Sequence, residues 1–148
     1  LRCGVEWIRK HAPCDVGTLS DGVVGDVTDI RVVTDRGPYD PVKLALGDAL
    51  AVGNDARMHL EYRVGRRTTD RRADAIDVYQ GDIRDVVASS GTTVVARPDG
   101  GRVAAPDLTL VSADDPLDRD RPEPVLTVHV HDRNRPGRLR RLLERLTF

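Results

Sequence analysis

The sequence is poor in aromatic residues: it has one Phe, one Trp and three Tyr among 148 residues, and a single Met. The core must therefore be built mainly from Val, Leu, Ile and Ala. A Val-rich chain with 13 Gly and 9 Pro favours short strands and turns. The shortage of aromatic rings also argues against a surface that stacks unpaired nucleobases.

Cysteine and long apolar runs are scarce as well. Cys3 and Cys14 are too few for a disulfide framework, and nothing accompanies them at zinc-site spacing. No apolar stretch approaches the roughly 20 residues of a membrane span, and no signal-peptide pattern is present. We therefore expect a cytoplasmic protein without a membrane partner. Because the chain begins at Leu1 rather than Met, we expect a processed product or a piece of a longer protein.

The net charge is close to zero, because the chain has 23 basic and 24 acidic residues. No global field attracts nucleic acid or an anionic membrane, so such a partner requires a local patch. Only Lys10 and Lys43 are lysines, and the other basic residues are arginines. The planar guanidinium fork suits carboxylate or phosphate. GC-rich codons would explain the same excess of arginine without any function.

Alternating apolar residues predict a sheet of short strands. Met58, Leu60 and Tyr62 share one face of a strand over 58–64, with His59 and Glu61 on the other. Further strands are predicted at 22–33 (with a bulge at Gly25), 49–52, 73–78, 82–87, 92–96, 102–105, 108–111 and 125–130. The predicted fold class is mostly β: a small antiparallel barrel or sandwich of short strands with a minor carboxy-terminal strand–helix (or strand) element.

The chain is long enough for one domain or two very small ones. Residues 113–124 contain three prolines and seven charged residues in twelve positions and predict a linker. It divides a barrel or sandwich domain at 1–112 from a carboxy-terminal element at 125–148. In that element, helical spacing marks Leu139, Leu142, Leu143 and Leu146, and a strand is the alternative.

Motifs of catalysis are missing. The sequence has no Gly-x-Ser-x-Gly, no P-loop and no Gly-x-Gly-x-x-Gly after a strand. His129 and His131 share a strand face that can bind a metal. However, Asp132 follows directly and further ligands are not indicated, so we interpret them as surface histidines. We expect no enzyme, no catalytic residue, no metal and no cofactor.

Positive charge does collect at one place, around the predicted turn between the strands at 58–64 and 73–78. The arginines there are Arg63, Arg66, Arg67, Arg71 and Arg72. A hairpin tip loaded with guanidinium groups suits phosphate or carboxylate. Pairing with Asp74 and Asp77 across the hairpin is one alternative, and a solvated loop or a protein contact is another.

One stretch resembles a known family. Gly47-Asp48, then Leu60 and Tyr62, then Ala75 and Val78 are similar to the closing half of a cold-shock, OB-like barrel, over residues 22–79. Such barrels occur in the amino-terminal region of MOV10-like RNA helicases, whose β-rich region the tail 125–148 also resembles. The tail is similar, too, to the first strand and helix of an ACT domain. The cold-shock resemblance implies an RNA-binding barrel.

These observations predict a non-catalytic binding module that recognises an anionic partner, with RNA as a candidate, through the five arginines. The partner is a nucleic acid or an acidic protein surface. The alternative is a structural subunit of a self-assembling particle, such as a virion or a phage head–tail component. There the arginines would make ion pairs between subunits of a homo-oligomer, and the protein would lie within the virion.

Overall fold

The computed structural model describes residues 7–8, 11–20, 25–34, 40–62, 70–88, 91–97, 106–113 and 123–131. Within these ranges one sheet of six strands carries two helices of 15 and 19 residues. The elements, in chain order, are β1 (Val16–Ser20), β2 (Asp29–Thr34), α1 (Asp40–Asn54), β3 (Arg57–Tyr62), α2 (Asp70–Ala88), β4 (Val94–Arg97), β5 (Leu108–Ser112) and β6 (Val125–His129).

The strands lie in the order β1-β6-β5-β2-β3-β4. All neighbours are parallel except β1, which is antiparallel to β6. The chain runs outward from β2 through β3 to β4, and then returns to the other side of β2 with β5 and β6. This is the strand order of a doubly wound α/β sheet, with an antiparallel strand added at one edge.

This architecture contradicts the predicted antiparallel barrel or sandwich. Strands do lie in the regions predicted at 58–64 and 125–130, but residues 49–52, 73–78 and 82–87 belong to helices. In α2 the buried residues recur every three or four positions, which is helical spacing: they are Ile76, Gln80, Ile83 and Val87. The prediction was wrong because short apolar runs do not distinguish a strand from a buried helix.

The predicted hairpin is also absent, because β3 pairs in parallel with β2 and β4. In the region predicted as a strand at 22–33, residues 25–28 are not in a strand, and β2 begins at Asp29. β6, which we assigned to the carboxy-terminal element, is a strand of the same sheet. The predicted strand at 102–105, most of the predicted linker and residues 132–148 lie outside the described residues.

Both ends of α1 follow from local chemistry. The helix begins with Asp40-Pro41, and proline fits the first turn, where its missing N–H has no helical partner. After Asn54 the chain turns through Asp55, whose φ of 53° is left-handed. The amides of Asp55 and Ala56 donate to the carbonyls of Val52 and Ala51 at 3.5 and 2.9 Å, a Schellman-type end.

The main core lies between the helices and one face of the sheet. It joins strand residues to Ala51 of α1 and to Ile83 and Val87 of α2. The strand residues are Ile30, Val32, Met58, Leu60, Leu108 and Leu110. Each buried aliphatic side chain of this size contributes roughly 1.5–3 kcal/mol. Neither described helix is long and apolar enough to cross a bilayer.

α1 approaches the sheet closely at Gly47. A Cβ at this position would lie 2.8 Å from Val32 Cγ2 and 3.0 Å from Met58 Sδ. Val32 is stiff about χ1 and fully buried, so it cannot move away cheaply. Glycine is therefore required here by packing, although it weakens the helix itself.

The pair Gly47→Ala and Gly81→Ala tests this packing. Both substitutions gain about 0.8–1 kcal/mol of helix propensity, but a Cβ at Gly81 in α2 would meet nothing within 4 Å. We expect Gly81→Ala to raise the urea midpoint and Gly47→Ala to lower it, because overpacking costs about 1–3 kcal/mol. Equal shifts for the two variants would show that α1 does not press on the sheet at Gly47.

Candidate functional site

The carboxyl ends of β2 and β5 lie where the strand order reverses. Val32 and Leu110 are register partners, and Thr34 and Ser112 follow them by two residues at the ends of their strands. Connections leaving two such strands diverge to opposite sides. In open α/β sheets a crevice forms at this point, and it is the usual place for a ligand.

A buried network of three side chains, the edge triad of Asp40, Lys43 and Tyr79, stands at this edge. Asp40 and Lys43 are each only 1% exposed. Lys43 Nζ lies 2.8 Å from Asp40 Oδ1 and also donates to the carbonyl of Val33. The Tyr79 hydroxyl donates to Asp40 Oδ2 at 2.7 Å. The triad therefore joins the end of β2, the first turn of α1 and the middle of α2.

Ser112 adds a polar group at the same edge. It lies two residues beyond Leu110, so it shares the face of the sheet that carries the helices. Its residue is 3% exposed, and its hydroxyl has no hydrogen-bond partner. A buried hydroxyl without a partner costs roughly 1–3 kcal/mol. The point where the strand order reverses thus contains the buried Ser112 hydroxyl in addition to the edge triad.

The opposite face of the sheet carries an ion network on three elements. Arg31 of β2 lies 3.4 Å from Glu61 of β3 and 3.2 Å from Glu123, two residues before β6. Thr109 of β5 donates to Glu123 at 3.2 Å. Arg31 and Glu61 are 5% and 9% exposed. Arg31 thus lies between two carboxylates inside the protein, so it is not available to bind an external anion.

Two aspartates, Asp29 and Asp107, form hydrogen bonds at the edge of the sheet where the parallel strands begin, which we call the amino edge. Asp29 Oδ1 lies 2.7 Å from His59 Nε2, and its Oδ2 accepts from Arg57 at 3.0 Å. These contacts, the one with His59 above all, lower the pKa of Asp29. Asp107 Oδ2 accepts from the amide and hydroxyl of Thr28, both at 2.9 Å, and from the Asp29 amide at 3.0 Å. Those bonds, first the one from the Thr28 amide, lower the pKa of Asp107.

A shallow cavity of about 210 Å³ opens at this amino edge, where Ala51, Asp55, Arg57 and Thr92 line it. Arg57 already holds Asp29, and the Thr92 hydroxyl donates to Asp48. The Arg57 and Thr92 side chains are therefore engaged in stabilising the fold. The cavity lies at the end of the sheet opposite the edge triad, and we assign it no ligand.

The structure describes two of the five predicted site residues, and it places them in a helix rather than in a hairpin. Arg71 and Arg72 lie in the first turn of α2. Arg63 comes directly after β3, and together with Arg66 and Arg67 it lies outside the described residues. All five belong to the stretch that joins the carboxyl end of β3 to the start of α2, one strand away from β2.

The two histidines considered for a metal are at the end of β6. His129 Nε2 lies 3.4 Å from the Thr18 hydroxyl of β1, and the His131 amide donates to Asp15 Oδ1 at 2.7 Å. Within the described ranges no group of three or more His, Cys, Asp or Glu side chains is placed to hold a metal ion.

Comparison of the chain with models of protein families, with curated proteins and with solved structures found no match.

Sequence reasoning missed the edge triad. Asp40 followed by Pro41 is a typical helix start, and Asp40 and Lys43 then stand three residues apart on one helix face. That pattern predicts α1 and an ion pair in its first turn. Tyr79, by contrast, reaches the pair from 39 positions away along the chain, and no local pattern predicts it.

Breaking the edge triad should be costly. Lys43→Met leaves the Asp40 carboxylate buried without its cation, so we expect a loss of about 3–5 kcal/mol in the free energy of unfolding. The double variant Asp40→Asn/Lys43→Met removes both charges and should lose clearly less than the sum of the two single variants. Urea unfolding of the four proteins gives the coupling. Additive losses would show that the two groups act independently.

The lowered pKa of Asp107 predicts that the free energy of unfolding depends on pH. Because its pKa is lowered from 3.8 in the folded state, its contribution to stability is complete above about pH 4 and is lost as pH falls through the lowered value. Asp107→Asn should therefore flatten the acid limb of stability, measured by urea unfolding between about pH 5 and pH 2. Thr28→Val, which removes one donor, should flatten it less. An unchanged acid limb in Asp107→Asn would contradict this assignment.

Proposed function

We propose that this chain is a non-catalytic binding module that holds an anionic partner at the carboxyl edge of its sheet. The preferred partner is a small phosphorylated molecule. The observation that carries the proposal is the reversal of strand order between β2 and β5. Folds with this reversal bind their ligands in the crevice outside the carboxyl ends of the strands.

The chemistry of the edge supports an anion. Five arginines occupy the chain between the end of β3 and the first turn of α2. Arginine forms bidentate bonds with phosphate and stays charged at every physiological pH. Both helices also begin at this edge, and helix amino termini carry partial positive charge. Because the overall charge of the chain is −1, an anion can be attracted only by a local concentration of basic residues such as this one.

The fold changes the preferred class of anion. The RNA-binding hypothesis drawn from the sequence required a β-ribbon with arginines at its tip. The structure has no such ribbon, because β3 pairs in parallel with β2 and residues 70–88 form α2. A crevice at the point where the strand order reverses can enclose a small molecule, whereas a strand of nucleic acid needs an extended surface. We therefore prefer a small phosphorylated ligand, and RNA becomes an outcome of the test.

The lack of catalysis is part of the proposal. The edge triad neutralises its own charges, since the Asp40 carboxylate is held by Lys43 and Tyr79. A general base must instead be free to reach a proton on the substrate. A bound triphosphate is therefore expected to be recovered intact.

The test uses calorimetry with inorganic triphosphate, a nucleoside triphosphate and a single-stranded RNA as probes. We expect one of the two small probes to bind, and Arg71→Gln/Arg72→Gln to weaken binding at least about tenfold, since each charged hydrogen bond contributes about 1.5–3 kcal/mol. Arg84→Gln is the matched control, because Arg84 is exposed on the same helix near the amino edge.

The outcomes separate the alternatives. Binding of RNA alone, with affinity falling steeply as salt rises, would replace the small ligand by a polynucleotide. Equal losses in the Arg84 control and the Arg71/Arg72 variant would show nonspecific attraction. Absence of binding for all three probes, or release of phosphate from the triphosphate, would overturn the proposal.

A further inference from the structure

Ser112 is the last residue of β5, and its side chain faces the helices. Its register partner is Val128 of β6, which belongs to a buried cluster that packs against Val42 in the first turn of α1. The Ser112 side chain therefore lies near the amino terminus of α1, at the point where the strand order reverses. The next residue, Ala113, is partly exposed, so this end of β5 lies directly below the surface of the carboxyl edge.

The Ser112 hydroxyl has no hydrogen-bond partner among the described residues, although the residue is only 3% exposed. The hydroxyls of Thr92 and Thr109, which are also buried, donate to Asp48 and Glu123. Buried polar groups in proteins are nearly always hydrogen-bonded. An unpaired hydroxyl at the place where this type of fold binds its ligands therefore indicates a contact with a bound molecule.

The amino terminus of α1 already carries an anion. Asp40, the first residue of the helix, is 1% exposed, and its carboxylate is held by Lys43 and by the Tyr79 hydroxyl. A carboxylate at this place takes up the favourable interaction with the helix dipole that a phosphate would otherwise use. Because the pair with Lys43 is neutral, no surplus of positive charge compensates a second anion there. The part of a ligand that contacts Ser112 is therefore uncharged.

The arginines of the proposed anion site lie farther along the sheet. They begin after β3, which is separated from β5 by β2. Ser112 and the start of the arginine-bearing stretch are therefore two strand spacings apart, which is about 10 Å. A single phosphate bound by the arginines does not span this distance. A molecule that uses both contacts must carry its phosphate on an organic part that reaches Ser112.

We propose that the ligand is a phosphate ester of a hydroxylated molecule, the class that includes sugar phosphates and nucleotides, and that Ser112 selects it over inorganic phosphates. This inference rests on the proposed function and adds the uncharged part of the ligand. The arginines after β3 bind the phosphate, and a hydroxyl of the organic part forms a hydrogen bond with Ser112. A serine hydroxyl can both donate and accept, which matches the hydroxyl groups of a sugar.

Calorimetry with matched pairs of probes tests this selectivity. ATP is compared with inorganic triphosphate, and ribose phosphate with inorganic phosphate, so that each pair differs in the organic part. We expect at least one ester to bind about tenfold or more tightly than its inorganic counterpart, because its organic part adds contacts in the crevice. Ser112→Ala should weaken binding of that ester about three- to tenfold, the effect of one hydrogen bond between neutral groups. Binding of the inorganic anions should not change.

Two controls separate this role of Ser112 from a structural one. Ser20→Ala removes a hydroxyl that donates to the Val125 carbonyl at the opposite end of the sheet, and it should leave binding unchanged. Without ligand, Ser112→Ala should keep or raise the urea midpoint, because no hydrogen bond is lost and a buried unpaired hydroxyl is removed. If Ser112 served the fold alone, its replacement would lower the midpoint and would affect all probes alike.

The results distinguish a failure of this inference from a failure of the proposed function. Equal affinities for each ester and its inorganic counterpart would overturn the selection by Ser112 and leave the anion site standing. An ester preference that Ser112→Ala leaves intact would do the same. If neither the esters nor the inorganic anions bind, the anion site itself is wrong, and the selection by Ser112 fails with it.

Discussion

The buried ion pair between Asp40 and Lys43 fixes the geometry of the carboxyl edge. Removing two charges from water costs several kcal/mol per ion, so the pair is tolerated only where further hydrogen bonds complete it. Here the Val33 carbonyl and the Tyr79 hydroxyl complete it. The pair is local to the first turn of α1, but these two hydrogen bonds form only if the end of β2, the start of α1 and the middle of α2 meet at one point. It therefore excludes arrangements of these elements that hydrophobic packing alone would allow.

The two faces of the sheet are stabilised by different chemistry. The helix side is held by aliphatic side chains and by the close approach of α1 at Gly47. The other side contains Arg31, which forms ion pairs with Glu61 and Glu123. The amino edge is held in a third way, by the side-chain contacts of Asp29 and Asp107.

The sequence predicted strands where alternation was long enough, as at β3, whose Met58 and Leu60 do face the core. It failed at α1 and α2. Ala49–Val52 is too short a run to show its period, and in α2 the buried positions include a polar residue, Gln80, which hides the apolar stripe. The sequence places five arginines close together along the chain, but their place in the fold depends on which strands pair. Parallel pairing between distant segments leaves no local mark on a sequence, and the reach of Tyr79 to Asp40 leaves none either.

The antiparallel strand at the edge of the sheet has a consequence for synthesis on the ribosome. β1 hydrogen-bonds only to β6 among the described strands, and their contacts span 105 to 111 residues along the chain. Contacts between such distant segments form late, because loop closure must be achieved before they stabilise anything. The first described strand thus waits for the last described strand, and the nascent chain emerges from the ribosome with β1 unpaired until β6 has been made.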